Sequence, residues 1–352
     1  MYMKSKVSSS KFGTLSDGTK AHIFKVAREN ISFCASDFGC TLTCLNVRKP
    51  DGTFTDILLG FDTLTSYSTT WGSFGAIIGR FANRISNAKF TLDKKTYNLY
   101  PNIETCTLHG GNPAWGNILW KAKKVENKDS CGVVFSRDFE DGYQGFPGNL
   151  HVEIEYLIDD ENQLKMTYTA TSDKPTPVSI TNHAYFNLEG KGRIDDYKLK
   201  MNCKKFIEVD ENNIPTGNIL PVKDTVNDFT RTRKIKLANM EKPAYDLCFV
   251  TPAFDKNKGI PLEGKEVVKV AELTAPESKI KMEVFTNQEG IQLYTARYLN
   301  MEPGKGGIQY RSYMAVCLET QSFPDSPNQK NFPPAILNPG ETYKAVTIYK
   351  FS

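Results

Sequence analysis

Apolar and polar residues alternate at every second position along much of this chain, the pattern of strands with one face in a core. It recurs at residues 21–26, 31–35, 41–47, 133–136, 151–158, 164–171, 267–273, 279–285 and 342–351. The clearest run is Lys279-Ile280-Lys281-Met282-Glu283-Val284-Phe285, which puts Ile280, Met282 and Val284 on one face. Turn-forming residues join neighbouring runs, as at Asp93-Lys94-Lys95 and at Asp159-Asp160-Glu161-Asn162, so consecutive runs read as antiparallel hairpins. No amphipathic stretch of a dozen residues stands out as a helix. The pattern predicts an all-β fold, a large antiparallel β-sandwich.

Length refines this. At 352 residues the chain exceeds the usual ~100–200 residues per domain, yet no internal repeat, low-complexity tract or polar linker divides it. One domain over residues 1–352 is expected, with a split near residues 172–178 as the alternative. Loops rich in Pro, Gly and Asn at 101–117, 138–148, 252–264 and 322–340 break the strand pattern, and long irregular loops in a compact domain usually carry function.

Composition narrows the partners. Lys+Arg number 44 against 40 Asp+Glu, a net charge of +4 with no long block of one sign, which is no footprint for nucleic acid. Residues 1–11 lack an apolar targeting segment, and no apolar stretch is long enough to span a bilayer, so no membrane contact is expected. Eight cysteines include no C-x-x-C pair. Cys34, Cys44, Cys203, Cys248 and Cys317 sit in apolar runs, where a free thiol behaves as a small hydrophobe. A reducing, cytoplasmic setting fits.

The candidate chemistry centres on two of the four histidines. His183 sits in Thr181-Asn182-His183-Ala184-Tyr185-Phe186-Asn187-Leu188, with more hydrogen-bonding groups than a core position needs. Imidazole titrates near neutral pH, which suits proton transfer; the alternative is a structural histidine bonded to Asn182 or to backbone. His109 precedes Gly110-Gly111 in a loop that also holds Trp115, where glycines allow close approach to a ligand and an indole face suits a sugar ring. His22 and His151 read as structural. No two histidines lie at i,i+2 or i,i+4, so no metal centre is expected.

Glu319 ends the run Tyr313-Met314-Ala315-Val316-Cys317-Leu318-Glu319. Burying a carboxylate there raises its pKa toward the range of a general base. Two arginines in Gly79-Arg80-Phe81-Ala82-Asn83-Arg84-Ile85 suit charge-fixed hydrogen bonds to oxygen ligands. Asp246 opens the apolar run 246–250.

Taken together, the Gly79–Ile85, Leu108-His109-Gly110-Gly111 and Thr181–Leu188 strings, Gly290-Ile291-Gln292-Leu293-Tyr294-Thr295 and Leu318-Glu319-Thr320-Gln321 resemble the signature strings of the aldose 1-epimerase, or galactose mutarotase, family. They occur in order, and Asn338-Pro339-Gly340-Glu341-Thr342-Tyr343 closes the series; the resemblance runs from about Thr14 to Tyr349. It implies a sandwich with an open sugar cleft, no metal or organic cofactor, a free monosaccharide as partner, and a monomer or homodimer. It makes His183 the general acid, as imidazolium, and Glu319 the general base. Asn83, Arg84, His109, Asp246 and Gln292 would bind sugar hydroxyls, and Tyr185 would line the site. The family often has a histidine after the aspartate, where this chain has Leu247.

Three rival readings remain at this point. A non-catalytic carbohydrate-binding module would not need both His183 and Glu319. An enzyme for phosphorylated hexoses would need a basic cluster, for which Arg80, Arg231 and Arg233 are candidates. A glycoside hydrolase would use two carboxylates, such as Asp246 and Glu319.

Overall fold

The computed structural model describes residues 6–236, 245–260 and 262–352. Part of the N-terminal stretch 1–11 and residue 261 of the 252–264 loop therefore lie outside the described residues. Within them, strands dominate. The helices are short, Leu64–Thr69 and Pro252–Lys256. Every ladder between strands runs antiparallel.

Three large sheets make the body. A five-stranded meander runs Lys6–Thr14, Lys20–Ala27, Ile31–Ser36, Leu42–Arg48 and Phe54–Asp56 in chain order. A nine-stranded sheet has the long strands Ser130–Phe139, Leu150–Asp159, Gln163–Ser172 and Tyr343–Phe351 at its heart. A second five-stranded sheet is ordered Pro215–Pro221, Lys205–Val209, Asp246–Val250, Gly290–Tyr294, Cys317–Gln321.

The meander and the third sheet both bury a face against the nine-stranded sheet. On one side Phe24 meets Phe135 and Phe33 meets Tyr156, with ring centroids 6.0 and 6.4 Å apart. Towards the third sheet, the Tyr349 hydroxyl donates to the Leu318 carbonyl at 3.0 Å, among buried Ile291, Leu293 and Leu318. A single apolar cluster runs from Phe24 to Phe351. Since alternate residues of a strand face opposite ways, this packing leaves the other face of the third sheet to the cleft.

The sandwich expected from alternation is thus present, with local differences. The run at 133–136 is part of the ten-residue strand Ser130–Phe139, whose Cys131, Val133 and Phe135 are buried. The run expected at 279–285 begins as a strand only at Lys281, because Lys279 adopts a left-handed φ of 60° that ends the preceding turn. The Asp93-Lys94 turn joins Lys89–Leu92 to Lys95–Asn98 with φ of 49° and 64°, both left-handed as a two-residue type I′ turn requires.

One buried side chain ties the layers to the cleft. Asn182 Nδ2 donates to the Gly75 carbonyl at 2.7 Å and to the Tyr156 hydroxyl at 3.1 Å, and that hydroxyl donates to the Cys40 carbonyl. Replacing Asn182 with Ala leaves buried acceptors unmatched, a cost of about 1–3 kcal/mol. Urea unfolding of Asn182→Ala is expected to show a loss of that size.

Candidate active site

The cleft wall is the exposed-in face of the third sheet. Across its strands Asp246 stands opposite Tyr294, and Gln292 opposite Glu319. These side chains, with Cys317, point the same way, so a strand two residues apart supplies two wall groups. Gln292 Nε2 donates to Asp246 Oδ1 at 2.7 Å and so fixes the carboxylate. Glu319 lies in the middle of Cys317–Gln321, with Thr320 and Gln321 continuing the ladder. It is therefore not the strand-end residue expected from the apolar run, and only 2 % of it is exposed.

His183 is delivered from the other side by backbone. Thr181 and Asn182 pair with Ile78 and Ile77; the His183 N–H then donates to the Ala76 carbonyl, and its carbonyl accepts from the Gly75 N–H at 2.8 Å. Gly75 has φ +65°, and a Cβ there would fall 2.2 Å from the Leu42 carbonyl oxygen. Only glycine fits.

Aromatic rings then clamp the imidazole. Tyr185 stacks on it at 4.8 Å and Phe74 stacks on Tyr185 at 4.4 Å, while Tyr294 and His109 meet it edge-on. His183 Nε2 is left 3.8 Å from Glu319 Oε1.

The third element is the Asn83–His109 corner. Arg84-Ile85 pairs with Thr107-Leu108, the His109 N–H donates to the Asn83 carbonyl, and the Asn83 N–H donates to His109 Nδ1 at 3.2 Å. An Nδ1 that accepts leaves the proton of a neutral imidazole on Nε2. Burial, then the neighbouring His183 and Arg84, hold the His109 pKa well below its usual range, so this ring stays a neutral donor. Gly110 lets the loop close, since a Cβ there would meet the Gly79 carbonyl at 2.2 Å.

All eight site residues expected from the sequence, Asn83, Arg84, His109, His183, Tyr185, Asp246, Gln292 and Glu319, line one cleft of about 570 Å³. Trp115 does not join them as a sugar platform. It is 1 % exposed and stacked flat on Phe139 at 4.5 Å; the indole at the cleft mouth is Trp71, 70 % exposed. Tyr294 and Phe74 were not singled out from the sequence as site residues, although Tyr294 lies in one of the signature strings. Leu247 packs towards the core on the opposite face from Asp246, so the departure from the family pattern does not reach the cleft.

Electrostatics set the proton inventory. Burial lowers His183 to a pKa of about 4; burial and then Asp246 raise Glu319 well above the usual carboxylate range. Burial also raises Asp246 against the pull of Arg84. Burial thus drives both members of the pair towards their neutral forms. The imidazolium expected for His183 is not the form the empty cleft favours, because desolvation penalises either charge.

Donor atoms of His183, Cys317 and Glu319 also lie within 4.8 Å of one another, a set suited to a soft divalent ion. Histidine spacing could not reveal it, since two strands from different sheets create it. His22 and His151 bond Asp37 and Asp138 away from the cleft, as their strand positions implied. Arg80 is fully buried on the Pro147 and Gly148 carbonyls, and Arg233 bonds the Asp228 carbonyl over the Phe229 ring. Neither serves a phosphate cluster in the cleft.

A β-sandwich whose open sheet face holds a carboxyl 3.8 Å from an imidazole puts the chain among the sugar-epimerising isomerases. The family model described as Aldose 1-epimerase matches residues 23–350, and the chain belongs to that family. It is 38% identical over 345 residues to galactose mutarotase of Mus musculus, with 97% of each chain covered, and 34% identical over 324 residues to aldose 1-epimerase of Escherichia coli, with 90% of each covered. Among solved structures, an aldose epimerase homologue from C. elegans superposes with a TM-score of 0.83 at 28% identity, over 99% of both chains. Galactose 1-epimerase from Lactobacillus acidophilus shares the fold, with a TM-score of 0.84 at 24% identity over 99% of both chains.

The buried carboxyl has a testable cost. A folded-state pKa raised above the unfolded ~4.3 contributes stability below that pH, and the contribution is lost as pH rises through the folded value. Glu319→Gln, neutral throughout, should therefore match the parent's unfolding midpoint near pH 4 and exceed it at pH 7–8. Thermal melts at the two pH values check this.

Proposed function

We propose that this chain interconverts the α and β anomers of free hexoses such as D-galactose and D-glucose, with His183 and Glu319 moving the protons. The observation that carries this is the 3.8 Å approach of His183 Nε2 to Glu319 Oε1 on the cleft wall. Opening a hemiacetal needs a proton on the ring oxygen and the loss of one from the C1 hydroxyl. Both oxygens are bonded to the same carbon, so the acid and base must be neighbours.

In this reading His183 gives its proton to the ring oxygen while Glu319 takes one from the C1 hydroxyl. The products of that step, neutral imidazole and protonated carboxyl, are the forms that burial favours. Ring opening therefore discharges two buried charges. Arriving sugar hydroxyls that hydrogen-bond the pair support the charged forms before opening. After rotation about C1–C2, Glu319 returns its proton and His183 takes one back, giving the other anomer.

Substrate hydroxyls are held by Asp246 with Gln292, by Arg84 with Asn83, and by the Nε2–H of His109; Tyr185 fixes the plane of His183. We read the chain as one unit, because its largest core cluster joins residues from both ends. The eight free cysteines support a reducing cytoplasm. Among the described residues no helix is long and apolar enough to cross a membrane.

Three outcomes test the reading. A general acid or base is worth ~10²–10⁴-fold in rate, so His183→Asn and Glu319→Gln should each slow anomerisation by at least 10²-fold. Polarimetry of freshly dissolved α-D-galactose and α-D-glucose measures this, and a near-parental rate in either variant removes the assignment. Arg84→Ala should raise KM as well as lower kcat. The pH profile of kcat/KM should be bell-shaped, falling below about pH 4 as the pair takes a second proton and again at high pH as Glu319 loses the only one.

A further inference from the structure

Positions 34 and 44 stand directly opposite each other on the adjacent antiparallel strands Ile31–Ser36 and Leu42–Arg48, and both are cysteine. Directly opposed residues have Cα atoms ~4.5 or ~5.5 Å apart with side chains on one face, inside the ~4.4–6.8 Å that a disulfide spans. Both thiols are free and partly exposed, whereas the other six cysteines are buried.

Their surroundings give them different parts. Cys34 and Cys44 lie on the face away from the core residues Phe33 and Leu45, with exposed Lys25 directly opposite Cys34 on the next strand. Asn46 Nδ2 donates to Cys44 Sγ at 3.6 Å. A hydrogen bond from the Cys44 thiol, and then the Lys25 charge, hold the Cys34 thiol below its usual range despite partial burial. Cys34, directly opposite the Lys25 ammonium, would be the attacking sulfur and Cys44 the resolving one.

We propose that Cys34 and Cys44 form an oxidant-responsive dithiol, a modification site for hydroperoxides, which closes a cross-strand disulfide between strands already in register. The Cys34 thiolate attacks one peroxide oxygen and the O–O bond breaks; the released hydroxide takes up the proton that Cys34 gave to solvent and becomes water. The Cys44 sulfur then attacks the Cys34 sulfenic sulfur, forming S–S and breaking S–OH, and the departing hydroxide leaves as water with the Cys44 proton. Two thiols lose one electron each and one peroxide becomes two waters. An external dithiol reverses the step by exchange. None of the cleft residues takes part.

The sequence supplies a clean readout, because a tryptic peptide spanning residues 29–48 holds Cys34, Cys40 and Cys44 together. The folded full-length protein is treated with hydrogen peroxide, denatured, alkylated with N-ethylmaleimide and digested. Untreated, the peptide should carry three maleimides. After peroxide it should be lighter by two hydrogens and carry a single maleimide, on Cys40, with all three sites restored by dithiothreitol. Cys34→Ser should keep two alkylated cysteines after the same treatment, whereas Cys44→Ser should keep only Cys40 alkylated, with Cys34 held as a sulfenic acid that dimedone labels. Three maleimides persisting on the parent peptide, a disulfide that includes Cys40, or loss of both remaining thiols in either variant would overturn the proposal.

Discussion

The constraint on which this molecule turns is the desolvation of one carboxyl group. Glu319 sits in a strand that is buried along its length, beside an imidazole that is buried too, and neither neutralises the other in the empty cleft. A buried charge in such surroundings costs several kcal/mol unless matched. The two groups are held 3.8 Å apart, and burial favours neutral imidazole with protonated carboxyl over the charged pair. A reaction that needs a proton delivered and another removed at one carbon can exploit that bias.

The fold meets this constraint by division of labour. One sheet presents acidic and amide groups at alternate positions, with its other face sealed against the nine-stranded sheet by Ile291, Leu293 and Leu318. The histidine comes from a separate two-residue pairing, so its position relative to Glu319 depends on how layers stack rather than on either strand alone. The stacked series Phe74, Tyr185 and His183 leaves the imidazole little rotational freedom. Precision at the site is therefore a property of the core, and the Asn182 contacts with Gly75 and Tyr156 are where the two meet.

Much of this was legible in the residues, for identifiable reasons. Long strands with one polar face, such as Leu150–Asp159 and its partner Gln163–Ser172, betray themselves by alternation. The strands that build the cleft wall do not, because they are short and buried on both faces: Gly290–Tyr294 is buried at every position. Their candidate chemistry was legible instead through the order of short strings along the chain, which singled out His183 and Glu319, the pair that the fold brings to 3.8 Å. Side-chain environment was not. Trp115 and Trp71 are both tryptophans beside glycine, and only packing decides that the first is sealed on Phe139 while the second stands at the cleft mouth. Likewise the burial that lowers the His183 pKa involves His109 and Tyr294, far from it in the chain, which no local pattern records.

Gly75 has a bearing on how such a site can change over generations. Its carbonyl, its N–H and its missing side chain are all spoken for, by Asn182 and Leu42, by His183, and by the Leu42 backbone. Mutational paths through that position are closed, whereas Trp71, a few residues upstream at the cleft mouth, is mostly exposed. Variation is thereby channelled to the mouth of the cleft, while the backbone that holds His183 against Glu319 is inherited intact.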